Sequence, residues 1–279
     1  MSTAARVFRN SGAVLAGQGL ERLLKLVVII LLARYLQARG FGTYAFIFAY
    51  VELFAVITDL GVNAILVREV SRERERAGEL LGSALLLKGL LTLAALGLCW
   101  GIIAALSYPG QIKLLVFVAS AILILSFRVN SFRMTFDAVY QAELEMKYPM
   151  ALGAMSEALS AVLILLAIAK GLGLGGIVLL QVAAYLPGFI ALGVLFQRRV
   201  RPVYRVDLAL WKRLLSLAFP IALANLFIMA YSRADLLMLS FMKGDESVGF
   251  YASALKLVGS LGIIPLALST SLHPLIARY

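Results

Sequence analysis

The sequence predicts an all-α polytopic membrane protein, and three observations carry that expectation. Of its 279 residues, 62% are hydrophobic and 15% charged, with a mean hydropathy of +0.94; soluble domains run near half apolar and a quarter charged. The apolar residues fall into eight runs, each near the roughly 20 residues that a spanning helix needs. Within runs such as 23–33 and 114–125 they are continuous, not alternating as in the strands of a membrane barrel.

A segment alone in lipid must satisfy its own backbone hydrogen bonds, so each run is expected to be a helix. The expected spans are 11–36, 41–66, 80–106, 112–136, 150–169, 174–196, 214–241 and 248–271. The first carries Glu21, Arg22 and Lys25 and exceeds the length of a signal-peptide core, so it reads as a retained helix. Little chain is left over for a soluble catalytic domain. A single cysteine, Cys99, and a single histidine, His273, leave no Cys-rich or paired-His metal set, so no metal or cofactor is expected. The run 171–176 has the glycines of a dinucleotide loop without the strand and downstream acid that such a loop requires.

Basic residues are placed unevenly. The segments 68–76 and 197–205, with Lys212 and Arg213, hold ten of them. Arg6, Arg9, Lys147 and Arg278 fall on the same side if eight helices alternate, against Arg34, Arg39, Lys113, Lys170 and Lys243 on the other. The positive-inside rule then puts the N-terminus in the cytoplasm and assigns the net charge of +11 to topology, not to nucleic acid. The opposite-side loops 108–111, 170–173 and 243–247 are short, too small to shape an external enzyme site.

Phe41-Gly-Thr-Tyr-Ala45 opens the second span and Val248-Gly-Phe-Tyr-Ala252 the eighth, 207 residues later. Six helices separate the copies, and an even number preserves orientation, so the expectation is a parallel repeat of six-helix lobes. Residues 1–205 would form the first lobe and 206–279 the first two helices of the second, making the sequence C-terminally incomplete.

The run Leu31-Leu-Ala-Arg-Tyr-Leu-Gln-Ala-Arg-Gly-Phe-Gly-Thr-Tyr-Ala45 resembles the first external loop of the polysaccharide transporter family, the Wzx-type oligosaccharide flippases. Asp59-Leu-Gly-Val-Asn-Ala-Ile-Leu-Val-Arg-Glu69 is similar to the cytoplasmic end of that family's second helix. Phe219-Pro-Ile-Ala222, Arg233-Ala-Asp-Leu-Leu-Met-Leu239 and Val248-Gly-Phe-Tyr-Ala-Ser-Ala-Leu-Lys256 are similar to the opening of its second lobe. The resemblance implies the fold of the multidrug, oligosaccharidyl-lipid and polysaccharide exporter superfamily, with two lobes rocking between inward- and outward-open states. It implies translocation of undecaprenyl-pyrophosphate-linked oligosaccharide across the bacterial inner membrane for O-antigen, capsule or exopolysaccharide assembly. Membrane lipids, a polysaccharide polymerase and chain-length machinery are the partners it implies.

Charges at bilayer depth are costly and become default functional candidates. Glu21 and Lys25 stand four apart in the favourable order for a helix pair, which leaves Arg22 without a partner on its own helix. Arg233 and Asp235, two apart, cannot face each other; the 207 offset sets Arg233 against Leu26, near the depth of Arg22 and Lys25. Arg22, Lys25 and Arg233 are therefore candidates for binding a pyrophosphate head group, whose oxygens match the planar guanidinium fork. Lys88, nearer the cytoplasmic end, is a fourth and could snorkel. Glu52 and Asp59, seven apart, are candidates for a coupling proton or Na⁺. Arg133 and Asp137 are expected to pair at the surface, and Arg128 to lie deeper. Gly97 and Gly101 read as a close-packing face, Tyr108, Tyr148 and Trp211 as interfacial anchors, and Pro187, Pro220 and Pro265 as kinks.

Two functional alternatives stay open, besides a purely structural protein that would tolerate Arg22→Ala and Arg233→Ala without loss of polysaccharide. A multidrug exporter of the same superfamily would favour acids and aromatics for cationic drugs, where the deep groups here lean basic. A membrane enzyme of polysaccharide assembly would call for a larger external loop, or an acidic pair for a metal-bound sugar nucleotide.

Overall fold

The computed structural model describes the backbone of residues 3–127 and 130–260, with side chains described over 26–127, 130–255 and at 258. The described residues are helical without any strand. Five stretches are long and apolar enough to cross a membrane: Leu26–Arg72, Arg74–Ala105, Lys147–Ala169, Leu174–Arg199 and Leu208–Lys243. The chain is an all-α polytopic membrane protein.

Helix α1 (Thr3–Leu53) is broken at Gln37, whose φ of 57° and ψ of 176° leave the helical region. The Gln37 side chain donates from Nε2 to the Arg34 carbonyl at 2.7 Å, satisfying an acceptor that the break releases. This is the boundary expected between the first two spans. The two arms share one core, with Val28 and Leu32 before the break and Phe41 and Ala49 after it.

Helices α2 (Ala55–Asp59) and α3 (Val62–Arg72) continue that second span with a second break. Leu60 and Gly61 are both left-handed, at φ 45° and 74°. Gly61 is required there twice over, because a Cβ would also lie 2.9 Å from the Ile221 side chain. Helix α4 (Ala77–Ala105) follows a 3-10 turn at Arg74–Arg76.

The fourth expected span, 112–136, is less regular than its hydropathy suggests. Helices α5 (Gly110–Ala119) and α6 (Ile122–Leu125) are followed by non-helical chain, and α7 (Met134–Ala142) starts afresh. The freed Ser126 carbonyl accepts from Ser131 Oγ at 2.9 Å and from Arg133 Nε at 2.9 Å. Helix α8 (Lys147–Ala169) turns through Gly171, at φ 68°, into α9 (Leu174–Ala183) and α10 (Leu186–Arg199). Pro187 sits in the first turn of α10, where its missing N–H costs nothing. Helix α11 (Leu208–Lys243) contains Pro220 and ends at Gly244, φ 77°, before α12 (Asp245–Ser260). Pro265 and the remainder of the eighth expected span lie outside the described residues.

Two surface expectations change. A Cβ on Gly97 or Gly101 would meet nothing within 4 Å, so that pair is not a packing seam between described helices. Arg133 and Asp137 pair at 2.8 Å but are buried, each 4% exposed, because the chain folds inward at Ser126 and the guanidinium also lies 3.9 Å over the Phe127 ring. Of the expected anchors, Trp211 donates to Ser83 Oγ at 2.9 Å, Tyr108 bonds Ser240 at 3.1 Å, and Tyr148 is exposed.

The 200–207 segment between α10 and α11 is extended and seated on α4. Val203 N donates to Gly78 O at 2.9 Å, and a Cβ on Gly82 would lie 2.2 Å from Val203 O. Replacing Gly82 with leucine is therefore expected to lift this segment off α4 and speed tryptic cleavage after Arg205. Unchanged cleavage kinetics would show that the segment is not held there.

Candidate functional site

The like segments 41–45 and 248–252 meet face to face. A Cβ on Gly42 would lie 1.7 Å from the carbonyl oxygen of Asp245, and one on Gly249 would lie 1.9 Å from that of Ala38. Gly42 and Gly249 are separated by 207 residues, as are Ala38 and Asp245. The contact is therefore reciprocal, the pattern of a two-fold interface. Both glycines are needed because the backbones of α1 and α12 touch there without room for any side chain. Thr43 Oγ1 donates to Asp245 Oδ2 at 2.7 Å across the seam, and Phe41, Val248 and Ala252 are buried beneath it.

Below this seam lies a cavity of about 210 Å³ bounded by α1, α9, α11 and α12, with Tyr44, Glu52, Gln181 and Arg233 among its walls. Arg233 of α11 forms an ion pair with Glu52 of α1 through its terminal nitrogen. Its Nε is buried without a hydrogen-bond partner among the described residues. Tyr44 donates to Gln181 Oε1 at 2.8 Å. A smaller cavity of about 70 Å³ shares Phe41, Tyr44 and Gln181 and adds Glu157 and Ser160 of α8. Tyr185 donates to Glu157 Oε1 at 3.2 Å. Asp235 turns away from Arg233, as its spacing requires, and accepts from Tyr251 at 2.6 Å.

The remaining candidates separate. Lys88 does not snorkel: its side chain is 0% exposed and its Nζ lies 2.7 Å from Asp59 Oδ1. The reason is that α4 presents it inward to α2, where the Ser131 carbonyl lies 3.4 Å away and Asp59 also accepts from Asn63 N at 3.1 Å. Glu52 and Asp59 thus serve different partners, and each is neutralised by a cation from another helix. The side chains of Arg22 and Lys25, together with Arg128, lie outside the described residues. Glu157, Gln181 and Tyr44 were not among the sequence candidates. Glu157 had a signal, being a lone acid within an apolar run, and Tyr44 stood in the repeated 41–45 segment, whereas Gln181 had none.

Breaking the Lys88–Asp59 pair strands a buried charge, which costs about 3–5 kcal/mol, while removing both partners is often near neutral. Lys88→Met is expected to lower the unfolding midpoint in detergent sharply, and Lys88→Met with Asp59→Leu to recover most of it. A single variant as stable as the parent would show that the pair contributes nothing.

The all-helical membrane chain thus holds a polar, charged cavity beneath the seam between the like segments 41–45 and 248–252. The family model for polysaccharide biosynthesis proteins matches residues 7–279. The chain belongs to that family, the family of the Wzx-type oligosaccharide flippases. Comparison with curated proteins found no match, and comparison with solved structures found none either.

Proposed function

We propose that the protein is a flippase, not an enzyme, and that it moves polyprenyl-pyrophosphate-linked oligosaccharide from the cytoplasmic to the periplasmic leaflet of the bacterial inner membrane, for surface polysaccharides such as O-antigen. The observation that carries this reading beyond family membership is Arg233, whose guanidinium faces a cavity and retains one unbonded, buried nitrogen. A buried donor without a partner costs free energy, and a phosphate oxygen would satisfy it. Arg22 and Lys25 of the first arm of α1 join it as cations of the same anion site in this proposal.

Residues 1–205 are the first lobe and residues 206–279 open the second, with the N-terminus in the cytoplasm, so that the Gly42–Gly249 seam closes the periplasmic end. The described conformation is then the inward-open one. An arriving pyrophosphate competes with Glu52 for Arg233, and the released carboxylate takes up the coupling proton or Na⁺. Asp59, held by Lys88, keeps a structural role. Polymerase and chain-length machinery would receive the product on the far side.

The test is transport by the full-length protein in vesicles loaded with fluorescent polyprenyl-pyrophosphate oligosaccharide on one leaflet. Protein-dependent appearance of the sugar on the other leaflet is expected. Transfer no faster than in protein-free vesicles would sink the proposal, and polymerisation of the oligosaccharide by purified protein would favour an enzyme.

A further inference from the structure

We infer that the flank of the bundle where the 200–207 segment crosses α4 is a binding site for an anionic glycerophospholipid. This site is separate from the Arg233 cavity and does not depend on the transport reading. A cavity of about 570 Å³ opens there, within the roughly 300–1,000 Å³ of sites that enclose small ligands. One wall is the face of α4 that carries Leu86, Leu90 and Leu93, spaced four and three apart and so aligned along the helix. Leu90 and Leu93 are 54% and 65% exposed, so the slot opens sideways to the hydrocarbon of the bilayer. The inner wall is aromatic, with the Phe136 and Phe196 rings 5.0 Å apart.

Two glycines keep the slot empty. A Cβ on Gly89 would meet only Phe132, and one on Gly193 only Phe136, each at 3.9 Å. Neither is a close-packing position, and a larger side chain at either would enter the cavity without a backbone clash.

At the other end the lining becomes amphipathic, through Tyr204 and Trp211. Trp211 is anchored by its bond to Ser83, and such rings mark the level of the head groups. Around this mouth the positive charge is only partly balanced. Arg199 pairs with Glu143 and Glu145, and Arg213 with Glu69. Arg205 and Lys212 are exposed and make no ion pair among the described residues. Neither lines the cavity itself: Arg205 stands between the lining residues Tyr204 and Val206 on the extended segment, and Lys212 directly follows Trp211, so both flank its mouth. An apolar slot that opens to lipid, flanked at its wet end by Arg205 and Lys212 with Asp207 engaged as the N-cap of α11, matches an acyl chain below a phosphodiester head without a positive group of its own.

The chain has two tryptophans, so a Trp100→Phe background leaves Trp211 as the only reporter. That protein is reconstituted into mixed phosphatidylcholine and phosphatidylglycerol vesicles in which one lipid at a time carries brominated acyl chains. Brominated phosphatidylglycerol is expected to quench Trp211 several-fold beyond its mole fraction. Arg205→Gln and Lys212→Gln, both at exposed positions, should each reduce that preference about fivefold, the effect of one cation at an anionic surface. Gly193→Leu should abolish the preference by filling the slot. Equal quenching by both lipids, or a preference that survives Gly193→Leu, would overturn the inference. Relief of quenching by an equal mole fraction of polyprenyl phosphate would also overturn it, by assigning the slot to the tail of a translocated lipid.

Discussion

Export of surface polysaccharide is expected to fall more than roughly tenfold when Arg233 is replaced by glutamine in the full-length protein, with its level in the membrane unchanged. Truncating one member of a desolvated, hydrogen-bonded charge pair costs about 2–5 kcal/mol, and a glutamine offers neither the charge nor the planar fork that phosphate oxygens match. The single variant alone is ambiguous, because it also strands Glu52, which is mostly buried on the same cavity. The double substitution Arg233→Gln with Glu52→Gln tests whether the pair as a whole is only structural, Glu52 being the proposed coupling carboxylate. A pair that only holds α11 to α1 can be neutralised on both sides at little cost, so a structural role predicts that the double variant regains export. An anion-binding role predicts that it stays inactive although it is as stable as the parent. Arg233→Lys should retain part of the activity, since the point charge remains while the bidentate geometry is lost. Measuring cell-surface polysaccharide in a flippase-deficient host, with membrane abundance as the control, decides the matter. Export restored in the double variant would remove Arg233 from the site.

The helices were legible because hydropathy over tens of residues has few solutions in lipid. The expected spans 80–106, 150–169 and 214–241 correspond to α4 (Ala77–Ala105), α8 (Lys147–Ala169) and α11 (Leu208–Lys243). Interruptions inside spans were not legible, since one or two residues in an unusual backbone conformation barely change the average. Leu60 adopts φ 45° beside Gly61 because the chain must pass α11 closely there. Residues 126, 127 and 130–133 leave the helix because the Ser126 carbonyl has Arg133 and Ser131 as alternative partners.

The site was legible as a set of residues and illegible as a set of pairs. Intramembrane charge marked Arg233, Glu52, Lys88 and Asp59, but which cation meets which acid depends on distances across the bundle. Lys88 and Asp59 are 29 residues apart, and nothing in their spacing says that α4 turns this lysine inward. Gln181 is ordinary in composition and acquires significance only from its bond to Tyr44 at the cavity wall.

The repeat gives the second large expected effect. Replacing Gly42 with leucine should hold α1 and α12 apart, because its Cβ alone would overlap the Asp245 carbonyl, and neither helix backbone can yield without moving the other. Reciprocity makes a sharper demand. Gly249→Leu presses on Ala38 as Gly42→Leu presses on Asp245, so the two variants should have the same phenotype. Their combination should be no worse than either alone, since both open one seam and effects within a shared contact are not additive. Thr43 reports the opening: it is 8% exposed and bonded to Asp245 in the closed seam. The native Cys99 is fully buried, so background labelling is low. Thr43→Cys should react slowly with a membrane-impermeant maleimide applied from the periplasmic side, and at least about tenfold faster when either glycine is leucine, if opening the seam costs the closed state more than ~1.4 kcal/mol. On the proposed function, transport should be lost in the same variants, because a carrier that cannot seal one end cannot complete alternating access. If Gly42→Leu accelerates labelling and Gly249→Leu does not, the contact is not a symmetric gate, and the likeness between 41–45 and 248–252 is only the local packing of two small residues.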